Sequence, residues 1–268
     1  MTATWFSEWF PRRKPVIGVV HLGPLPGAPR YAGDLEAVLD RAELDADAYV
    51  RGGADALLVE NFGDAPFFAS HVPAITVAAM TRAAVRVVEL ARGRPVGVNV
   101  LRNDGMSAIA VATAAGAAFV RINVLSGAYA TDQGVIESEA ARVMRLRAEL
   151  RSPVRVFADV SVKHATPLRN ETLEREIADV RDRALADAIL VTGTATGTAP
   201  DAKSVARAKL CAGTAPMLVA SGVAAATLAG LEAADGFIVG TSLKRGGKTD
   251  ATVDKARVAA LVRAVRAL

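Results

Sequence analysis

A chain of 268 residues with 51% hydrophobic and 22% charged residues carries enough apolar side chain for a large folded core, which excludes disordered and collagen-like classes. Its length matches the roughly 250 residues of one eight-fold α/β barrel, so no second domain is required. The formal charge of +4 is small for this length. No apolar run approaches the roughly 18 residues of a membrane span, and residues 1–14 lack the order of a signal peptide; the expectation is a cytoplasmic protein without a transmembrane segment. Cys211 is the only cysteine, which excludes an intrachain disulfide and a multi-cysteine zinc site.

In chain order, residues 1–14 form an aromatic segment whose Trp5, Phe6, Trp9 and Phe10 cover one face at helical spacing. Such a helix either plugs the amino-terminal mouth of a barrel or makes a subunit contact in a homo-oligomer. From residue 15 to 268, short apolar runs recur at Val16–Val20, Ala56–Val59, Val96–Val100, Phe119–Asn123, Val154–Asp159, Ala188–Thr192, Met217–Ser221 and Gly236–Gly240. Runs without strict alternation fit parallel strands covered on both faces. Helical spacing fills the gaps at Asp34–Arg51, Ile75–Ala91, Val135–Leu150, Leu173–Leu185, Ala202–Leu210 and Val253–Ala267. Glycines stand at expected helix stops, Gly52, Gly53, Gly93, Gly116 and Gly213. The pattern predicts an α/β fold, a single (β/α)8 TIM barrel, with an open doubly wound sheet as the runner-up.

In that fold the chemistry sits after the carboxyl ends of the strands. Those positions hold His21; Glu60, Asn61 and Asp64; Asn99, Arg102, Asn103 and Asp104; Arg121, Asn123 and Asp132; Asp159, Lys163 and His164; then Thr192, Gly193 and Ser221. Asn99, Arg121 and Asn123 lie inside apolar strands, where an unpaired polar group costs kilocalories. Arg121 shares a strand face with Asn123, so it points into the barrel and needs a carboxylate such as Glu60 or Asp159, or a bound anion. Glu60 and Asp159 also suit a general acid/base pair and are expected to matter more to activity than to folding. His21 and His164 are proton carriers or backbone donors, and Lys163 is an electrostatic group or a Schiff-base former. His71 reads as a surface residue.

The last two strands end in Ser221-Gly222-Val223 and Gly240-Thr241-Ser242, with Lys244 one turn on. Glycines there let backbone N–H groups approach a phosphate, so Ser221, Gly222, Gly240, Thr241 and Lys244 form the expected phosphate site. Residues 192–197, two Thr-Gly pairs, make a lid or a third wall. The basic C-terminal quarter (Lys244, Arg245, Lys248, Lys255, Arg257, Arg263, Arg266) suits an anionic small molecule. Without interleaved aromatics it gives no sign of nucleic acid. No cofactor is named by these residues, and no metal ligand set is assigned.

Several segments together resemble the BtpA family, named for a cyanobacterial factor in photosystem I biogenesis. They are residues 17–22 with 24–27, 60–67, 97–104, 119–124, 131–134, 158–160 with 162–165, 221–223, 238–241 and 243–244, besides the pairs Thr192-Gly193 and Thr196-Gly197. The resemblance implies a ribulose-phosphate-binding type of barrel and, from some members, a nucleosidase-like activity. The expected function is therefore binding of a phosphorylated sugar or nucleoside-like ligand, with ribosyl-bond hydrolysis or sugar-phosphate isomerisation carried by Glu60, Asp159, Lys163 and His164. The alternative is a non-enzymatic photosystem I biogenesis or assembly factor.

Overall fold

The computed structural model describes residues 3–11, 13–193 and 199–268. Eight parallel strands close into a barrel: β1 (Val16–His21), β2 (Ala56–Glu60), β3 (Val96–Asn99), β4 (Phe119–Ile122), β7 (Arg155–Val160), β9 (Ala188–Val191), β10 (Met217–Val219) and β11 (Gly236–Val239). Round the barrel the order is β1-β11-β10-β9-β7-β4-β3-β2, so the sheet closes as expected and the open runner-up does not form. The outer layer comprises α2 (Leu35–Gly52), α3 (Ala74–Leu90), α4 (Gly105–Ala115), α5 (Ala140–Glu149), α6 (Leu173–Ala178), α7 (Ala202–Ala212) and α8 (Lys255–Arg266). Asp34, Asp104, Asp201 and Asp254 cap helix starts by accepting backbone N–H bonds, and Gly53 (φ 90°) and Gly116 (φ 69°) end α2 and α4 in the left-handed region.

Side chains alternate along each strand. Outward residues such as Val16, Val20, Val98, Val120, Ile122 and Val156 pack under the helices. Inward ones, including Ile17, Leu58, Phe119, Phe157, Leu190, Leu218 and Ile238, fill the barrel with Phe6 and Phe10. Helix α1 (Thr4–Trp9) closes the amino-terminal end. Its Trp5 ring lies 5.8 Å from Phe157, its Trp9 ring 6.4 Å from Phe119, and Phe119 and Phe157 stack at 4.5 Å. The aromatic face is thus used inside the chain. Gly97 makes room for this floor, since a Cβ there would lie 2.2 Å from the Phe119 ring.

Three local features of the outer layer stand out. The segment expected as a helix from Val135 begins its helix only at Ala140; Gly134–Glu137 is strand β6, paired antiparallel with β5 (Ala128–Thr131). Gly134 (φ 96°) turns the hairpin, and the alternation of exposed Val135 with buried Ile136 is a strand pattern that a helical reading of the same apolar pair overlooks. Strand β8 (Ala165–Pro167) adds to β5 on its other edge, so the segments after β4 and β7 join into one small sheet above the barrel. In addition, β10 is followed by a 3-10 turn, Ala225–Gly230, in place of a full helix, and the helix expected to Leu185 passes at Asp179 into a π turn.

Candidate active site at the carboxyl end of the barrel

Strand parity sends His21, Glu60, Asn99, Arg121, Asn123, Asp159 and Thr192 inward, one or two positions above the apolar interior. Arg121 is the centre of this ring. Its Nε and Nη2 donate to Asp159 Oδ1 and Oδ2 at 2.9 and 2.8 Å, and Asn123 Nδ2 donates to Asp159 Oδ2 at 2.8 Å. Both charges are buried, with Arg121 4% and Asp159 2% exposed. Burial opposes the guanidinium charge, but Asp159 outweighs it and raises Arg121 above its ordinary value, so the guanidinium stays charged.

Across the barrel, Asn99 Nδ2 donates to Glu60 Oε2 at 2.7 Å, and His21 Nε2 lies 3.7 Å from Glu60 Oε1. Burial pushes the Glu60 carboxyl up; His21 when protonated, Arg121, Lys163 and the Asn99 bond together overcome it and bring it below its ordinary range. Burial dominates at His21 and lowers it from 6.5 to about 4 against the attraction of Glu60. At neutral pH the two groups are therefore a carboxylate and a neutral imidazole. The imidazole packs on Phe62 at 4.7 Å, and its buried Nδ1 has no hydrogen-bond partner among the described residues. A Cβ on Gly240 would lie 2.8 Å from His21 Cε1, so the glycine is what allows the ring this position.

These groups face a cavity of about 270 Å³ lined by His21, Glu60, Phe62, Arg121 and Lys163 together with Ser221–Ala224 and Gly240–Ser242. Ser242 Oγ donates to Val223 O at 2.7 Å and ties the two glycine loops together. The N–H groups of Gly222 and Val223 find no acceptor among the described residues. Those of Thr241 and Ser242 open a 3-10 turn, where no preceding turn accepts them. The site therefore brings backbone donors without an acceptor among the described residues together with a carboxylate, an imidazole and an amine.

Residues 12–267 match the BtpA family over nearly the whole chain. This chain belongs to the BtpA family. It is 46% identical over 96% of its length to the photosystem I biogenesis protein BtpA of Synechocystis, covering 90% of that protein. It is 44% identical to an uncharacterised protein of Thermococcus kodakarensis (96% of this chain, 97% of the other), and 28% identical to one of Caenorhabditis elegans (94% and 93%). The fold of this BtpA-family chain is similar to that of N-(5'-phosphoribosyl)anthranilate isomerase from Pyrococcus furiosus (TM-score 0.57, 14% identity, 95% of this chain and 100% of the other). It is also similar to KGPDC from Streptococcus mutans (TM-score 0.57, 11% identity, 96% and 99%). Both likenesses support the (β/α)8 barrel.

Other positions expected at the site of the BtpA-family barrel are bound up elsewhere. Asn61 and Asp64 form a clip: Asn61 takes the Leu101 N–H at 2.7 Å and donates to Asp64, which accepts the Leu25 N–H at 2.8 Å. Asn103 straps its loop to Val124 through both backbone groups, and Asp104 caps α4. Neither clip nor strap lines the cavity. Lys244 is the clearest correction to the expected phosphate set. It is 1% exposed, donates to Thr249 O at 2.8 Å and lies 3.7 Å from Asp45, because the chain after Gly240 turns into 3-10 turns and carries this side chain behind the loop.

Asp159 also departs from its expected role. Both its oxygens are engaged by Arg121 and Asn123 beneath the cavity, so it holds Arg121 in place and does not line the site as a proton-transfer group. Arg102 donates to Lys163 O at 2.7 Å and fixes the segment that carries it; Thr192 Oγ1 donates to Ser161 O at 2.6 Å. Asp132, at the hairpin tip, is exposed and held by Gln133, and His164 is exposed beside Lys163. Gly193 is buried at the end of its strand, while residues 194–197 of the expected lid lie outside the described residues. Phe62 was not singled out from sequence; its position two residues after Glu60 at a strand end was the signal. His71 is half exposed near Asp104 and Glu139, at 3.8 and 3.6 Å, with Arg142 3.2 Å from its Nε2. No helix among the described residues is long and apolar enough to cross a membrane.

Proposed function

We propose that this BtpA-family barrel binds a phosphorylated sugar or nucleoside-like molecule and acts on it by acid–base catalysis. The observation that carries the reading is the cavity itself, which gathers Glu60, His21 and Lys163 with two glycine loops whose N–H groups find no acceptor among the described residues. Fixed donors of this kind hold a phosphate at little reorganisation cost. The buried Arg121 lines the cavity and presents the positive side of its pair with Asp159 to it, since that carboxylate is bonded to its Nε and Nη2. Glu60 serves as the base, because it is ionised at neutral pH and lines the cavity. The neutral His21 is its partner, able to donate a proton from one nitrogen while accepting at the other. Such a pair suits proton shuttling in sugar-phosphate isomerisation, and the same carboxylate would orient water in ribosyl-bond hydrolysis.

Crystals soaked in ribose 5-phosphate test the reading. Its phosphate should lie within hydrogen-bond reach of the N–H groups near Gly222 and Gly240 or Thr241, with the sugar toward Glu60. Loops that remain empty and splayed at saturating ligand refute it. A second reading, an assembly factor, draws on the name of the Synechocystis relative. A relative in a nematode, an animal without photosystems, favours a shared small-molecule role over one confined to photosynthetic hosts.

A further inference from the structure

The geometry points to Lys163 as a covalent nucleophile that forms an imine with an aldehyde or ketone carbon of the phosphorylated ligand, a step that rests on the phosphate-binding reading above. Lys163 lines the cavity from the segment between β7 and β8. Its amine has no hydrogen bond or ion pair among the described residues, although Glu60 and Asp159 stand in the same ring. The contrast with Lys244 is direct, for that amine is tied to Thr249 and faces Asp45. A lysine placed as an anchor or a structural cation would show such partners; an amine left unpaired inside a cavity is disposed to react.

Two further features agree. The residues flanking it, Ser161 (φ 52°) and His164 (φ 55°), hold left-handed backbone without being glycine, a conformation retained where surrounding contacts enforce it and concentrated at functional sites. Those contacts are visible: the Ser161 N–H goes to Glu176 at 2.8 Å, Ser161 O accepts from Thr192, and Lys163 O accepts from Arg102. The segment is thus gripped on several sides while the amine is left free. Burial lowers the amine from its ordinary value, Arg121 and Arg102 push the same way, and Glu60 and Asp159 push back; the balance increases the neutral, nucleophilic form.

The step balances without an added reagent. The neutral Nζ donates its pair to the carbonyl carbon, the C=O π pair moves to oxygen, and a proton transfer gives a carbinolamine. Protonation of its hydroxyl and loss of water then form the C=N bond, with Glu60 in the same cavity able to carry the proton. The substrate class that follows is a phosphate ester with a free carbonyl, such as an open-chain aldose or ketose phosphate.

Pyridoxal 5'-phosphate, an aldehyde carrying a phosphate, is the probe, with pyridoxal as its phosphate-free control. The full-length protein is treated with each, reduced with borohydride, digested and mapped by mass spectrometry, with and without inorganic phosphate. The expected result is labelling at Lys163 ahead of exposed Lys203, Lys248 and Lys255, with inorganic phosphate protecting and pyridoxal reacting less. Lys163→Arg, which keeps the charge and should keep the melting temperature, should lose that label. Equal labelling of Lys163 by both aldehydes, unaffected by phosphate, would sustain the imine and overturn the phosphate site. Pyridoxal 5'-phosphate that binds in competition with phosphate yet leaves Lys163 unmodified after reduction would overturn the imine and leave the phosphate reading standing.

Discussion

Replacing Asp159 with Asn should cost far more stability than replacing Glu60 with Gln, although both are buried carboxylates at strand ends. Asp159→Asn removes a charge that accepts two bonds from Arg121 at 2.9 and 2.8 Å and a third from Asn123 at 2.8 Å. An arginine only 4% exposed then loses the carboxylate bonded to it and keeps only the more distant Glu60 charge, and breaking a buried pair from one side costs about 3–5 kcal/mol. For a chain of this size that corresponds to a midpoint lower by roughly 6–20 °C. Glu60→Gln keeps an oxygen for the 2.7 Å bond from Asn99 and leaves no tightly paired cation behind, so its cost should stay within about 1 kcal/mol. Urea and thermal unfolding followed by circular dichroism read both. The variant Arg121→Met with Asp159→Leu should recover most of the loss, because a buried pair replaced on both sides by apolar groups is often neutral. If Asp159→Asn melts within a degree of the parent, the ion pair does not hold the barrel as described. In activity, Glu60→Gln should abolish turnover of a sugar phosphate while leaving its binding.

Acidification provides a second check. The folded His21 value of about 4 lies below its ordinary 6.5, so between these values the unfolded chain binds the extra proton and stability falls as the pH drops from about 6.5 toward 4, by about 3 kcal/mol in all. Glu60, whose folded value is also depressed, loses its contribution only below its ordinary range, whereas the lowered His164 and the raised Asp64 and Glu176 share the window with His21; the check is therefore the difference between parent and His21→Asn, whose slope should be flatter there, and an unchanged slope rejects the burial argument. Gly97→Ala places a methyl 2.2 Å from Phe119 and should cost about 1–3 kcal/mol of overpacking in urea titrations; a neutral outcome would mean the aromatic floor is loosely packed. Lys244→Met should lower the melting temperature by removing one of the two cations, with Arg41, that face the buried Asp45 and the bond to Thr249 O, yet leave the affinity for ribose 5-phosphate unchanged in calorimetry. A weaker affinity in a variant that stays folded would return Lys244 to the phosphate site.

The strands were legible because burial on both faces writes continuous β-branched runs such as Val16–Val20, and the closing of the sheet followed from eight such runs in a chain of this length. Arg121 was legible for a similar reason, since a guanidinium between Val120 and Ile122 has no cheap alternative to an inward partner. The hairpin over Ala128–Thr131 and Gly134–Glu137 was not, because Val135 and Ile136 fit helical and strand periods equally and only pairing with β5 decides between them. Lys244 and Asp64 misled for a different reason. Polar residues after strand ends are equally useful for bracing loops, and sequence position does not say whether a long side chain turns toward the mouth or back under its own loop. The division of labour between Glu60 and Asp159 required distances that parity alone does not contain.

The inward positions of β4 and β7 explain how one barrel accommodates both a dry ion pair and a polar cavity above it. Phe119 and Phe157 stack at 4.5 Å, sealed from below by the aromatic helix. One inward position higher, Arg121 meets Asp159 with almost no solvent exposure. The aromatic layer denies water to the pair, which strengthens its electrostatics and fixes the guanidinium permanently in the charged form. Its outer side faces the cavity, where the same charge favours an ionised Glu60 and disfavours an ionised Lys163. Burial is the larger influence on Lys163, and Arg121 adds to it while drawing Glu60 the other way; by occupying its Nε and Nη2, Asp159 keeps that arginine from bonding to Glu60.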